Sequence, residues 1–378
     1  MLHPLNPPLC IPELNYLIGL QRQTLEFACN SLIYTDADYQ TYVGVDLVTW
    51  LVGRNGSGLK QDKHVRKFFR DLRKLVGCNY ADKLLALADF DSDQQYYQYL
   101  DDPSFRFAFQ PSKTLAHTNV KDCLIVFFEL LGFSGYPTNV MAPVLKGVSD
   151  FSKSDVVAGF KKNNPWIEFV CPCCDYAFTD SGSGNPEGYT IEHYFPKAVY
   201  PNICLHPYNL IPMCSGCNGK KSENDPIAPV DIATGKVYPI AYDEIFHPIK
   251  RPVRSKAILD FVAKDGKQEM LFISLDSKRT YNDSIKAFEL LYDIPPRWKV
   301  AWNRIAYRAH SSLKRALRLV TSDNEIFLDQ RLFEKAIDFA IRDLEDQLGS
   351  EHLSYPAMRW LIWAKQNQLI ELEKTYGL

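Results

Sequence analysis

Apolar residues return at helical spacing from Glu13 to about Leu32, through Leu14, Leu17, Ile18, Leu25 and Phe27, and predict a first helix. Residues 42–52, YVGVDLVTWLV, form an apolar run that fits a buried helix or a strand. Between 60 and 76, Lys63, Arg66, Lys67, Arg70, Arg73 and Lys74 alternate with Val65, Phe68, Phe69, Leu72 and Leu75, the pattern of an amphipathic basic helix. Its cationic face suits either solvent or phosphates. Residues 79–165 read as mostly helical, and 225–256 as loop, with prolines at 226, 229, 239, 248 and 252. QEMLFISL, residues 268–275, suits a short strand. A second basic helix is predicted from Arg297 to Val320. Arg297, Arg304, Arg308 and Arg315 stand 7, 4 and 7 residues apart, so they share one narrow face, while Trp302, Ile305, Ala309, Leu313, Ala316 and Val320 face the core. No Asp or Glu lies between 297 and 320 to neutralise that row. From Leu328 onward two more helices flank a break at Gly349–Pro356, and the proline-rich residues 1–12 read as a surface arm.

The chain therefore reads as α+β, mostly helical, with a small embedded unit: a helical region at 1–165, the unit at 166–230 and a mainly helical region at 231–378. Its 378 residues suffice for two or three domains. Apolar content of 46% and charged content of 23% are ordinary for a soluble protein. A net charge of −2 gives no global attraction to nucleic acid, so such binding must come from local patches. The N-terminus lacks a basic stretch before an apolar core, and no run reaches the ~18 apolar residues of a membrane span. The sequence GRNGSGLK at 53–60 has two glycines at P-loop separation, but Leu59-Lys60 stand where Lys and Ser/Thr are required, so it reads as a turn.

Cysteine changes the picture. Six of the ten cysteines lie between 171 and 217, a distribution that fits a metal site in a reducing cytoplasm. Cys171/Cys174 and Cys214/Cys217 are two Cys-x-x-Cys knuckles, a four-thiolate set suited to structural Zn2+. Cys173 is the alternative to Cys174, with the less usual spacing. The knuckles enclose 39 residues, 175 to 213, enough for a structure of their own. There YTIEH predicts a short strand ending on His193, and a second strand fits Leu205 to Ile211 with Asn209 in it or at its turn. Ser215 or Asn218 then opens a helix.

The segments IEHYFPK and NLIPMCSGCNGKK, in that order, resemble the zinc-stapled HNH endonucleases over about 50 residues. The resemblance implies a ββα-metal fold in which His193, Asn209 and Asn218 take the three motif positions. Glu192 stands where aspartate is commoner. Phosphodiester cleavage would then use His193 as general base, and Glu192 and Asn218 as oxygen ligands of a catalytic Mg2+ or Mn2+. Asn209 would orient His193 by bonding across the loop. Lys197, Lys220 and Lys221, with Arg304, Arg308 and Arg315, would hold phosphates. His206 is a turn residue or a substitute base, and His247 is structural. The implied substrate is DNA, double-stranded by preference, with RNA or a non-catalytic binding adaptor as alternatives. The resemblance further implies a cytoplasmic defence against foreign DNA, beside a protein partner such as an ATPase.

Overall fold

The computed structural model describes residues 2–52, 63–133, 135–145, 150–176, 189–222, 224–264, 267–275, 281–321, 330–348 and 350–376. The glycine-rich 53–60 lies outside them. Among the described residues nine helices come first: α1 (Ile11–Asn30), α2 (Asp36–Val43), α3 (Val45–Val52), α4 (Lys63–Val76), α5 (Tyr80–Asp93), α6 (Tyr96–Tyr99), α7 (Leu115–Phe133), α8 (Thr138–Met141) and α9 (Lys153–Asn163). A compact unit follows, with strands β1 (Tyr189–His193) and β2 (Leu210–Cys214) and helix α10 (Ser215–Lys221). Then come the hairpin β3 (Ala257–Lys264) and β4 (Lys267–Ser274), and helices α11 (Asn282–Tyr292), α12 (Ile294–Val300), α13 (Trp302–Thr321), α14 (Gln330–Asp346), α15 (Ser354–Asn367) and α16 (Leu369–Thr375). The described residues are thus mostly α with two small antiparallel sheets.

The basic helix α4 forms because Val65, Phe68, Phe69, Leu72 and Leu75 make one buried stripe. That stripe packs on α7, with Phe68 edge-on to Phe127 at 6.0 Å. Its cations are largely answered: Lys67 pairs with Asp122, Arg70 and Lys74 with Asp71, and Arg73 lies over the Tyr34 ring. The apolar run at 42–52 resolves into helices, ending as α3. Leu2 and Leu5 are buried, so the expected surface arm is instead part of the core. His3 N–H donates to the Pro172 carbonyl, and His3 Nε2 meets Asp175 Oδ1 at 2.6 Å, which fastens the arm to the first knuckle. One hydrophobic cluster runs from Leu2 to Leu372 and includes the knuckle cysteines.

The strand expected at 268–275 is β4, Lys267–Ser274, and it pairs with β3, for which no element was expected, in register from Ala257↔Ser274 to Lys264↔Lys267. Two expectations are corrected in the C-terminal part. The single helix from Arg297 is two helices, broken at Ala301. Arg297 therefore sits on α12 and leaves the arginine row of α13. The row is not unneutralised either. Arg308 pairs with Glu351, and Arg315 pairs with Asp343 of α14 at 2.7 Å. Acids on α14 and just beyond it supply what α13 lacks.

Candidate metal centre and active site

Strand β1 ends at His193 and pairs antiparallel with β2, with Glu192 opposite Ile211 and His193 opposite Leu210. The second strand lies further along the chain than 205–211, because Leu205 to Asn209 are folded as turns: His206 N bonds to the Ile203 carbonyl and Asn209 N to the His206 carbonyl. Pro212 is tolerated within β2 because both strands of a two-stranded sheet are edges. Helix α10 starts at Ser215, and the Cys214 sulfur accepts from Cys217 N–H as its N-cap.

The four sulfurs of Cys171, Cys174, Cys214 and Cys217 are buried and lie within 4.8 Å of one another, positioned to hold a metal ion. Cys171 and Cys217 sulfurs are 3.9 Å apart, and those of Cys174 and Cys214 3.8 Å. A tetrahedron of thiolates at a Zn–S distance of about 2.3 Å has edges of about 3.8 Å, so the set fits zinc. Cys173 is buried nearby but outside the set. Arg297 was read as a member of the arginine row. It caps this centre, with Nη1 donating to Cys217 Sγ at 3.1 Å and Nη2 to Cys174 Sγ at 3.6 Å. Gly216 leaves it room, since a Cβ there would lie 3.1 Å from Nη2. Trp298 Nε1 donates to the Cys174 carbonyl at 3.0 Å, so α12 grips the knuckle twice.

Beside the cysteine centre a pocket of about 210 Å3 is lined by Glu192, His193, Pro196, Lys197, Asn218 and Lys221, among others. His193 is buried, and its Nε2 lies 2.9 Å from the Cys204 carbonyl. A carbonyl only accepts, so Nε2 carries the proton and the neutral ring keeps its lone pair on Nδ1. Burial holds its pKa well below the ordinary 6.5, and the ammonium groups of Lys197, Lys221 and Lys153 push the same way. Asn218 Nδ2 donates to Glu192 Oε1 at 2.8 Å, which brings the amide and the carboxylate together. One carboxylate and one amide oxygen are a sparse set of hard donors. They suit a cation that keeps water and takes phosphate oxygens, as Mg2+ does.

Asn209 does not touch the His193 ring. Its Oδ1 accepts from Phe195 N–H at 2.7 Å, and its Nδ2 donates to the Phe195 and Ile203 carbonyls. It closes the loop from 195 to 209, one residue from the carbonyl that receives His193. Its link to the imidazole is therefore indirect. Both ring nitrogens of His206 are engaged, Nε2 with the Gln94 carbonyl and Nδ1 with Tyr208 N–H, which leaves no lone pair for a substitute base. His247 is fully buried, in line with a structural residue.

The predicted phosphate ligands divide among three places. Lys197 and Lys221 line the pocket, and Lys197 also pairs with Glu129 at 2.7 Å. Lys220 faces away to Asp293, at 2.9 Å. Arg304, Arg308 and Arg315 line a separate groove of about 460 Å3 with Tyr307 and His352. Sequence reasoning missed Lys153, whose ammonium stands at 4.2 Å over the ring of Phe128, which itself packs edge-on against His193. Nothing in a helix-capping stretch such as Ser152–Asp155 signals that placement.

The site is thus a four-cysteine cluster positioned to hold a metal ion, abutting a pocket that joins a carboxylate, a neutral imidazole and a carboxamide. A stretch of 35 residues is 49% identical to Septu protein PtuB from Bacillus thuringiensis. It covers 9% of this chain and 14% of that protein. No family model matches the chain, and no solved structure does. Among the described residues no helix is long and apolar enough to cross a membrane.

Proposed function

We propose that the chain is an HNH-type endonuclease hydrolysing phosphodiester bonds of DNA, double-stranded by preference. The observation that carries this reading is the His193 ring: Nε2 is tied to the Cys204 carbonyl at 2.9 Å, so Nδ1 is the basic nitrogen in a pocket shared with Glu192 and Asn218. Neutral imidazole is the side chain suited to taking a proton from water near neutral pH. Burial keeps it in that form. Glu192 and Asn218 would hold a divalent ion, with the amide turned over to present its oxygen. When bound, such an ion supplies positive charge against the charge that grows on the phosphate and on the leaving oxygen. Asn209 keeps the loop that holds the Cys204 carbonyl, and Lys197 and Lys221 contact phosphate. Zinc at the four cysteines is structural, since a closed thiolate set leaves no position open for chemistry.

The short likeness to Septu protein PtuB supports a role of the same kind as that protein's. With the motif resemblance it extends the proposal to cytoplasmic defence against foreign DNA, with a protein partner such as an ATPase. Incubation of supercoiled plasmid with Mg2+ or Mn2+ tests the reading. Nicking by the wild type and not by His193→Ala is the expected result. No cleavage of plasmid or labelled RNA by either, with DNA still retained on a gel, would leave a binding adaptor instead.

A further inference from the structure

Lys221 closes α10, is 2% exposed and lines the pocket with Glu192, His193 and Asn218. Among the described residues its ammonium has no hydrogen-bond or ion-pair partner. The acids whose fields reach it are committed elsewhere. Glu192 Oε1 accepts from Asn218, and Asp225 accepts from Tyr200 OH at 2.7 Å and from Ile227 N–H at 3.1 Å. A buried ammonium without a bonded anion is costly, and one that borders a cavity is satisfied by an anion entering it.

A second ammonium comes from outside the unit. Lys153 is the first residue of α9, which Asp155 caps by accepting from Ser152 N–H. Its Nζ stands 4.2 Å from the centroid of Phe128, a ring that is 1% exposed and packs edge-on against His193 at 4.1 Å. It too lacks an acid within ion-pair distance among the described residues, since Glu129 is taken by Lys197. Burial holds its pKa below the ordinary lysine value, while the Glu192 carboxylate pushes the other way. Gly132 admits the side chain: a Cβ there would lie 2.9 Å from Lys153 Cε. So two lysines without bonded anions, from elements almost seventy residues apart, stand around one imidazole, Lys221 in the lining of the pocket and Lys153 across the Phe128 ring.

We propose that Lys153 and Lys221 form a two-ammonium cradle for the scissile phosphate, so that the N-terminal helical region supplies part of the pocket. A phosphodiester offers two non-bridging oxygens and one negative charge, and each ammonium binds it as a point charge. Exclusion of water strengthens that attraction. The identity of the anion rests on the nuclease reading; the cradle itself does not need cleavage.

The test is binding of a labelled DNA duplex to zinc-loaded protein without added Mg2+ or Mn2+, as a function of salt. Lys153→Met and Lys221→Met should each weaken binding about fivefold or more and lower the slope of log K against log salt by about 1. Lys153→Arg should keep the slope, and Gly132→Ala should move binding toward Lys153→Met by displacing the ammonium. Lys221→Met removes a buried charge and should melt no lower than the wild type, which separates binding from folding. Unchanged slopes in both Met variants, with zinc content intact, would overturn the cradle even if plasmid is nicked. Lowered slopes with no nicking under any metal would keep the cradle and sink the nuclease.

Discussion

Arg297 and Cys217, eighty positions apart, meet at 3.1 Å through Nη1 and Sγ. A charge-assisted hydrogen bond of this kind contributes about 1.5–3 kcal/mol. Arg297 holds a cation against thiolates that, with zinc, carry net negative charge. Arg297→Met is therefore expected to release zinc to a chelating dye about tenfold faster or more, with Arg297→Lys in between. Equal release rates for all three would show that the guanidinium does no more than pack.

Asn209 makes three buried hydrogen bonds to the loop whose Cys204 carbonyl fixes the His193 tautomer. Asn209→Ala leaves the Phe195 N–H and the Phe195 carbonyl without partners, each costing about 1–3 kcal/mol, while the Ile203 carbonyl keeps His206 N–H. A loss of about 3 kcal/mol in denaturant unfolding is expected, together with loss of plasmid nicking. Asn209→Asp keeps the bond to Phe195 N–H but loses both donors, so it should not rescue. Full nicking by Asn209→Ala would show that the loop does not position His193.

The knuckles, the strand ending on His193 and most helices were legible because each is a local pattern: fixed Cys spacing, β-branched residues or a recurring apolar stripe. What was illegible depends on distant partners. The acids that answer Arg308 and Arg315 lie on and just beyond α14, so no window on α13 could reveal them. The break at Ala301 carries no Gly or Pro, and it moves Arg297 from an arginine row to the sulfurs. The N-terminal prolines suggested exposure, yet His3 is fixed by Asp175. Lys153 reaches the Phe128 ring beside His193 only because Gly132 leaves space for it.

His206 is held neutral by its surroundings. Nδ1 accepts from Tyr208 N–H while Nε2 donates to the Gln94 carbonyl, so protonation would set two donors face to face. Its pKa is pushed down to about 4, first by burial. The unfolded chain then binds the proton more readily than the folded one. Stability is full above about 6.5 and falls as pH drops toward 4, by roughly 3 kcal/mol from this residue. Urea unfolding at stepped pH, with zinc content followed in parallel, measures it. His206→Gln should flatten the slope over that window; an unchanged slope would assign it to other groups.

Cys174 and Cys173 are adjacent and both buried, yet only Cys174 belongs to the four-sulfur set. The chain turns sharply next to them: Asp175 adopts a φ of 60°, in the left-handed region, and is held there from both ends of the protein. Its carboxylate meets His3 Nε2 at 2.6 Å and accepts from Tyr355 N–H at 3.0 Å, while its carbonyl accepts from Leu353 N–H. Such anchoring fixes which sulfur of the pair faces Cys214. Cys173→Ser is therefore expected to retain about one zinc per chain, and Cys174→Ser to lose it, when metal content is measured on purified protein. The reverse result would mean that the first knuckle is turned by one residue and that Arg297 caps a different set of thiolates.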